Sequence, residues 1–189
     1  MGKSFDIQIV NPIITSFIED ILVAKGSLVA SKPCEIAAKP IDEYANRMII
    51  KASDKFDVPV FIAASSLYLS AADMNAHRAC GAMAVYVDIE VADKIFKAAG
   101  LQVPYDEDDD SMMALCGQFC TKIIDALKTR LAQDDYPKLE ASIPVIYRNA
   151  ISEGVEFSKG QNEKQEMSFY FFKHKALVID WTLVPLVKK

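Results

Sequence analysis

One segment of the chain has a clear helical pattern of apolar residues. Between Asp109 and Ala132, apolar side chains recur at intervals of three and four, which places them on one face of an α-helix. This apolar face comprises Met112, Cys116, Phe119, Cys120, Ile123, Leu127 and Leu131, and it is widened by Met113, Leu115 and Ile124. The acidic residues before it can cap the first turn and oppose the helix dipole. The pattern predicts a long helix that starts near Asp109 and buries one broad face.

The opposite face of this helix carries small and polar side chains. Its members are Asp110, Ala114, Gly117, Gln118, Thr121, Asp125 and Lys128. A glycine inside a helix costs about 1 kcal/mol relative to alanine. One interpretation is an ordinary solvated face. The other is a docking or dimerisation strip formed by Ala114, Gly117 and Thr121, because small side chains let another backbone or helix come close.

Patterns elsewhere predict further helices and strands. Helices are expected at Pro12 to Lys25 and at Glu90 to Ala99, each followed by a glycine. Strands are expected at Phe5–Val10, at an irregular edge segment within 27–40, and at Met48–Ala52, Val58–Ser70, Ala82–Ile89, Leu139–Ile146, Met167–Phe172 and Ala176–Val187. The last two form a hairpin that turns at 173–175, and the central pair is joined by a loop from Ala71 to Gly81. The fold class is therefore α+β, an antiparallel sheet with two or three helices packed on it.

Composition narrows the class of protein. With 189 residues, 51% of them hydrophobic, the chain can bury a core, and we expect one domain over 1–189. A net charge of -5 without a Lys and Arg cluster argues against a nucleic-acid binder. Asp6, Gln8 and Asn11 interrupt the first apolar run, so we expect neither a signal peptide nor membrane insertion. Four cysteines are too few for a disulfide framework at this length, which favours a cytoplasmic protein.

Candidate chemistry is sparse. Cys116 and Cys120 have the spacing of a two-ligand metal face, but the two histidines, His77 and His174, lie far away in sequence, so core thiols and no metal are expected. The chain has no Gly-rich phosphate loop and no nucleophile elbow. We therefore expect no cofactor and find no support for an independent enzyme active site.

Three other features allow two interpretations each. His77 with Arg78 could contact an anion, although a lone loop histidine is more often simply solvated. The acidic run Asp106 to Asp110 could bind a cation or a basic partner, although helix capping explains it. Trp181 on the last strand is expected to pack in the core or at an interface.

The succession of these parts resembles the CheC/CheX/FliY superfamily of bacterial chemotaxis proteins, and the CheX branch most closely, over nearly the whole chain. The resemblance rests on a helix that opens near Asn11-Pro12, on the segment VDIEVADKIFKAAG at Val87 to Gly100, on an acidic linker before the long helix, and on the strand opening Ala141 to Pro144. It implies a CheC/CheX-like α+β domain in chemotaxis or two-component signalling. It also implies a CheY-type receiver as partner and a homodimer formed through edge strands.

The phosphatase motif of this family is a Glu followed three residues later by an Asn on the long helix. The resemblance implies that the Glu engages a lysine of the phosphorylated response regulator CheY, while the Asn amide orients the attacking water. Alignment on Leu115 and on Ala126-Leu127 puts Ala114 at the Glu position and Gly117 at the Asn position. Both functional groups are missing, which implies a pseudo-phosphatase that works by binding. The first helix has Glu19, but Leu22 stands where the amide would be required.

An alternative keeps the activity at a shifted site. Gln118 lies about 100° around the helix from position 117 and carries an amide that could orient a water. The chain would then be a protein aspartyl-phosphate phosphatase. We prefer the non-catalytic interpretation, in which a partner binds the face formed by Asp110, Ala114, Gly117, Gln118, Thr121 and Asp125.

Overall fold

The structure is a computed structural model that describes residues 7–189. Its α-helices are α1 (Val10–Ile18), α2 (Ala71–Asn75), α3 (Ala92–Ala98) and α4 (Asp109–Gln133); α1 continues as a π-helix over Glu19–Ala24, and 3-10 turns at Ile7–Ile9 and Ile89–Val91 precede α1 and α3. Its strands are β1 (Ala30–Pro40), β2 (Glu43–Tyr44), β3 (Arg47–Lys51), β4 (Val60–Tyr68), β5 (Gly81–Asp88), β6 (Glu140–Ala141), β7 (Val145–Arg148), β8 (Ala150–Glu156), β9 (Glu163–Phe171) and β10 (His174–Leu183). The predicted α+β class is confirmed.

The larger sheet has seven strands in the order β1-β9-β10-β5-β4, with β6 and β7 both on the outer edge of β4. Its strand pairs are antiparallel, as in the predicted central pair, where Ala63 of β4 lies opposite Val85 of β5. The predicted C-terminal hairpin is β9–β10. Its two turn residues, Phe172 and Lys173, both have positive φ, of 55° and 66°. Two positive values in succession match the tight turns whose twist suits a hairpin.

The larger sheet is covered on both faces. Phe61 and Ala63 of β4 belong to the core beneath the helices. Ile62 and Ala64, which point the other way, belong to a second core shared with the three-stranded sheet β2-β3-β8. Every residue of β4 is buried, which explains its nearly continuous apolar run, because strands covered on both faces need no polar side. The sequence pattern did not predict this second, smaller sheet.

The prediction of a strand at Phe5–Val10 is wrong for the part that the structure describes. Residues 7–9 form a 3-10 turn and Val10 begins α1, while Phe5 and Asp6 lie outside the described residues. Asn11 does not cap the helix either. It is buried within α1, and its Oδ1 accepts a hydrogen bond of 2.9 Å from Trp181 Nε1. This bond satisfies the indole of Trp181, which lies in the core as predicted, and it fixes α1 against β10.

Two other segments differ from their predictions. The strand expected at Leu139–Ile146 is divided into β6 and β7, because the segment Ser142–Pro144 leaves the ladder and Ser142 bonds Ser66 through both its backbone N–H and its Oγ, at 3.0 and 2.9 Å. The loop expected at Ala71–Gly81 contains α2. Ser70 caps that helix by accepting a hydrogen bond of 3.0 Å from the backbone N–H of Asp73.

A cluster of buried charges lies between the sheet and the β3–β4 loop. Asp180 of β10, which is 0% exposed, receives Lys164 Nζ at 2.8 Å and Lys55 Nζ at 3.3 Å. Lys55 Nζ also bonds Glu166 at 2.9 Å. Burial alone would lower the pKa of the Lys55 ammonium, but the charge of Asp180 and the hydrogen bond to Glu166 outweigh it and raise that pKa. The cluster therefore ties the β3–β4 loop to β9 and β10 through groups that are costly to leave unpaired.

Asp180→Asn is expected to lower the free energy of unfolding by about 3 kcal/mol, because it removes the carboxylate that pairs with the buried ammonium of Lys164 and leaves Lys55 with Glu166 as its remaining close partner. Urea denaturation measures the loss. The control is Asp42→Asn, which removes a carboxylate 3.0 Å from Lys51 in a pair whose side chains are about half exposed, and which should barely change stability. Equal effects of the two substitutions would mean that the buried cluster does not hold the fold.

Candidate functional site

The amino-terminal turn of α4 is fixed by its acidic residues. Asp108 Oδ1 accepts a hydrogen bond of 2.9 Å from the backbone N–H of Ser111, and the bonds to Ser111 hold the pKa of the Asp108 carboxyl below its ordinary value. Asp109 forms an ion pair with Arg148 of β7. The bond to Asp108 bears out the capping interpretation for that residue, and the predicted start near Asp109 is confirmed. The ion pair of Asp109 joins the start of α4 to the edge strand beside it.

One side of α4 is exposed and is called the α4 face here. It consists of Asp110, Ala114, Gln118, Thr121 and Asp125, which are all exposed. Thr121 Oγ1 donates a hydrogen bond of 3.1 Å to the carbonyl oxygen of Gly117. Within residues 7–189, the side chains of Asp110, Gln118 and Asp125 have no hydrogen-bond or ion-pair partner. The α4 face therefore presents two carboxylates and one amide to solvent along one side of the helix, with the small side chain of Ala114 between Asp110 and Gln118.

Gly117, which was expected to belong to this face, is buried instead. A Cβ added to Gly117 would lie 3.0 Å from Cγ2 of Ile146 and 4.0 Å from Cβ of Pro144. The absence of a side chain therefore does allow a close approach, as its sequence suggested, but the approaching segment described here is β7 of the same chain. No side chain longer than hydrogen fits at position 117 unless Ile146 moves.

The edge strand β7 adds side chains that sequence reasoning did not include in the site. Ile143, which precedes β7, is 90% exposed. Ile146 of β7 packs towards α4, whereas Val145 and Tyr147 are 40% and 41% exposed. This alternation was visible in the sequence, but it was assigned to an ordinary strand. In the ladder Val145 lies opposite Ala64 and Tyr147 opposite Ile62, so both side chains point to the sheet face away from α4. The α4 face therefore adjoins Ile146, Arg148 and the segment 142–144.

The other candidate residues divide between core and surface. Cys116 and Cys120 are buried, and burial raises the pKa of the Cys120 thiol to about 12, so both behave as the expected core thiols. In α1 and its π-helical continuation, Glu19 is exposed while Leu22 is 0% exposed. Among residues 7–189, no three His, Cys, Asp or Glu side chains are grouped to hold a metal ion. In that same part of the chain, no helix has both the length and the apolar character needed to cross a membrane.

Gly117→Ala is expected to lower the free energy of unfolding by about 1 kcal/mol, although alanine favours an open helix by a similar amount, because the new methyl group overpacks against Ile146. In an Ile146→Ala background the same substitution should instead stabilise the protein by about 1 kcal/mol. A double-mutant cycle by urea denaturation measures the difference. Identical effects of Gly117→Ala in the two backgrounds would show that Ile146 does not fill this space.

Comparison with known proteins supports the fold. No family model and no curated protein matches the sequence. The structure is similar to CheX from Desulfovibrio desulfuricans (11% identity, TM-score 0.54, 92% of this chain and 98% of that chain). It is also similar to a CheC-like superfamily protein from Shewanella sp. PV-4 (13%, 0.51, 93% and 97%). A third similar structure is FliY from Thermotoga maritima (12%, 0.51, 93% and 86%). The chain has the CheC/CheX/FliY fold of chemotaxis proteins.

Proposed function

We propose that this chain is a non-catalytic, CheC/CheX-like binding module of chemotaxis or two-component signalling. Its partner would be a CheY-type receiver domain, and the α4 face with the adjoining edge of β7 would be the binding surface. The proposal rests on the shared fold together with the family motif to which Ala114 and Gly117 were aligned.

The contact between Gly117 and Ile146 is the observation that carries this proposal. Orienting a water for attack on an aspartyl phosphate requires a polar side chain held at a fixed position beside the phosphoryl group. At position 117 there is no side chain, and an added Cβ would lie only 3.0 Å from a methyl carbon of Ile146, which would have to shift to admit it. At position 114 the methyl of an exposed alanine cannot pair with a lysine. The two functional groups of the family motif are therefore missing at positions 114 and 117, and the packing of β7 on α4 also leaves little space for a side chain at position 117.

The same surface has properties that suit binding. Ile143 is 90% exposed and offers apolar area next to Pro144, which lies close to Gly117. Burial of apolar area favours association. Asp110 and Gln118 lie about one helical turn on either side of Ala114, and Asp125 lies further along the same face. These three side chains can bond to a partner without first breaking bonds inside the described part of this chain. A homodimer through edge strands stays a prediction, as does the single domain.

A second candidate function is dephosphorylation of the receiver at Gln118. The observation in its favour is that the Gln118 amide is exposed and has no hydrogen-bond partner within residues 7–189. Against it, an amide that nothing positions is poorly suited to catalysis that depends on positioning.

The test is the decay of a phosphorylated CheY-type receiver from the same cell, with and without this protein. We expect the wild-type chain to leave the decay rate unchanged. The triple change Ala114→Glu, Gly117→Asn and Ile146→Ala should accelerate it, because the pair of functional groups is restored and the space for the amide is opened. Ile146→Ala alone is the matched control and should have no effect.

If the wild-type chain accelerates the decay and Gln118→Ala abolishes the effect, the non-catalytic proposal is wrong and the shifted site is the active one. If the wild-type chain neither binds nor dephosphorylates the receiver in its beryllofluoride-activated form, the receiver is not the partner. Calorimetry with the activated receiver separates these two results.

A further inference from the structure

A cavity of about 530 Å³ lies where three connecting segments meet, and none of its lining residues belongs to α4. The segments are the β2–β3 turn, the loop between α2 and β5, and the start of the loop after β8. This volume is within the range of pockets that hold small organic ligands. The cavity is independent of the surface proposed above for the receiver.

Basic side chains dominate the lining of this cavity. Arg47, His77, Arg78 and Lys159 come from all three segments, and Glu156 is the single carboxylate among the lining residues described. The whole chain has a net charge of -5, so a concentration of positive charge in one cavity departs from the average of this protein. Clefts lined by one sign of charge raise the local concentration of oppositely charged ligands.

The negative charge of Glu156 is already used inside the protein. Its Oε2 accepts a hydrogen bond of 2.7 Å from Tyr68, and its Oε1 lies 2.7 Å from His77 Nδ1 and 3.6 Å from Arg47 Nη1. Burial alone would raise the pKa of the Glu156 carboxyl, but these partners outweigh it and lower that pKa. Glu156 therefore holds His77 and Arg47 in place. Its single negative charge does not neutralise the positive charges of Arg47, Arg78 and Lys159.

The guanidinium groups of Arg47 and Arg78 are both held in place by hydrogen bonds to other groups of this chain. Arg47 Nε donates to the carbonyl oxygen of Glu153 at 2.8 Å, and its Nη2 donates to that of Gly154 at 3.2 Å. Arg78 Nε and Nη2 both bond Asp73 Oδ1, at 3.0 and 2.9 Å. A guanidinium has five N–H donors, so each arginine retains donors that these contacts do not use. Fixing a cation in advance lowers the entropy cost of binding an anion.

Lys159 completes the set. It is exposed, and its ammonium has no ion pair within residues 7–189. His77 has a positive φ of 55°, in a region that few side chains other than Asn, Asp and His adopt, and this turn places its ring against Glu156. The arrangement combines two oriented guanidinium groups with an exposed ammonium group, and donors of these kinds recognise phosphate groups in proteins.

We propose that this cavity binds a small ligand through a phosphate group, with Arg78 and Lys159 as its principal contacts. Arg47 positions the β2–β3 turn and contributes charge. The ligand is either a soluble phosphate compound or the headgroup of an anionic lipid, which share this chemistry. The proposal does not depend on the receiver or on any phosphatase activity.

The test is calorimetric titration of the full chain with sodium pyrophosphate and with AMP at low ionic strength, together with sedimentation with phosphatidylglycerol vesicles. We expect saturable binding of at least one probe, and vesicle binding alone would assign the phosphate to a lipid. Arg78→Gln and Lys159→Gln should each weaken that binding by about tenfold or more, since each removes a charge-assisted hydrogen bond.

The matched control is Arg130→Gln. Arg130 is likewise an exposed arginine whose Nε bonds a neighbouring aspartate, Asp134 at 3.1 Å, and its side chain is 60% exposed against 65% for Arg78. It lies outside the cavity, so its loss should leave binding unchanged. Circular dichroism checks that each variant is folded. The proposal is overturned if no probe binds saturably, or if Arg130→Gln weakens binding as much as Arg78→Gln does.

Discussion

The structure depends on a sheet whose central strands are buried on both faces. Strands β4 and β5 are buried along their whole length, so helices must cover one side and another layer must cover the opposite side. The three-stranded sheet β2-β3-β8 supplies that second layer. The buried cluster around Asp180 lies beneath the loop that leads from this small sheet into β4. The β2–β3 turn and the loop after β8 adjoin the same small sheet and line the basic cavity. The buried charge cluster and the cavity therefore both lie beside the layer that covers this face of the larger sheet.

Sequence patterns predicted the elements with strong periodicity and short connections. The long helix α4 was found because its apolar residues repeat at helical intervals. Strand β4 was found from its β-branched and aromatic residues, and β5 and the hairpin β9–β10 from alternating or continuous apolar runs. The segment before α1 was misjudged because Ile9 and Val10 have strong strand propensity, yet they pack in the core beneath the helices as part of a 3-10 turn and of α1. Asn11 looked like a cap because no local pattern reveals that its partner is Trp181, 170 residues further along the chain.

The candidate site was predictable only in part for the same reason. The sequence showed that α4 has a face with small residues at Ala114 and Gly117. It could not show that Ile146 fills the space at Gly117, because that contact depends on how β7 pairs with β4. The basic residues of the cavity are visible separately in the sequence, where His77 with Arg78 is a candidate to contact an anion. Their convergence with Arg47 and Lys159 requires the tertiary fold, since these residues come from three separate segments.

The central claim is that α4 and the edge of β7 form a binding surface from which the chemistry has been removed. It is tested most directly by nuclear magnetic resonance of the ¹⁵N-labelled chain titrated with a beryllofluoride-activated CheY-type receiver. The account predicts that the amide signals of Asp110, Ala114, Gln118 and Arg148 shift or broaden on addition of the activated receiver, and much less with the unactivated one. Changes confined to β1, or to the basic cavity, would contradict it.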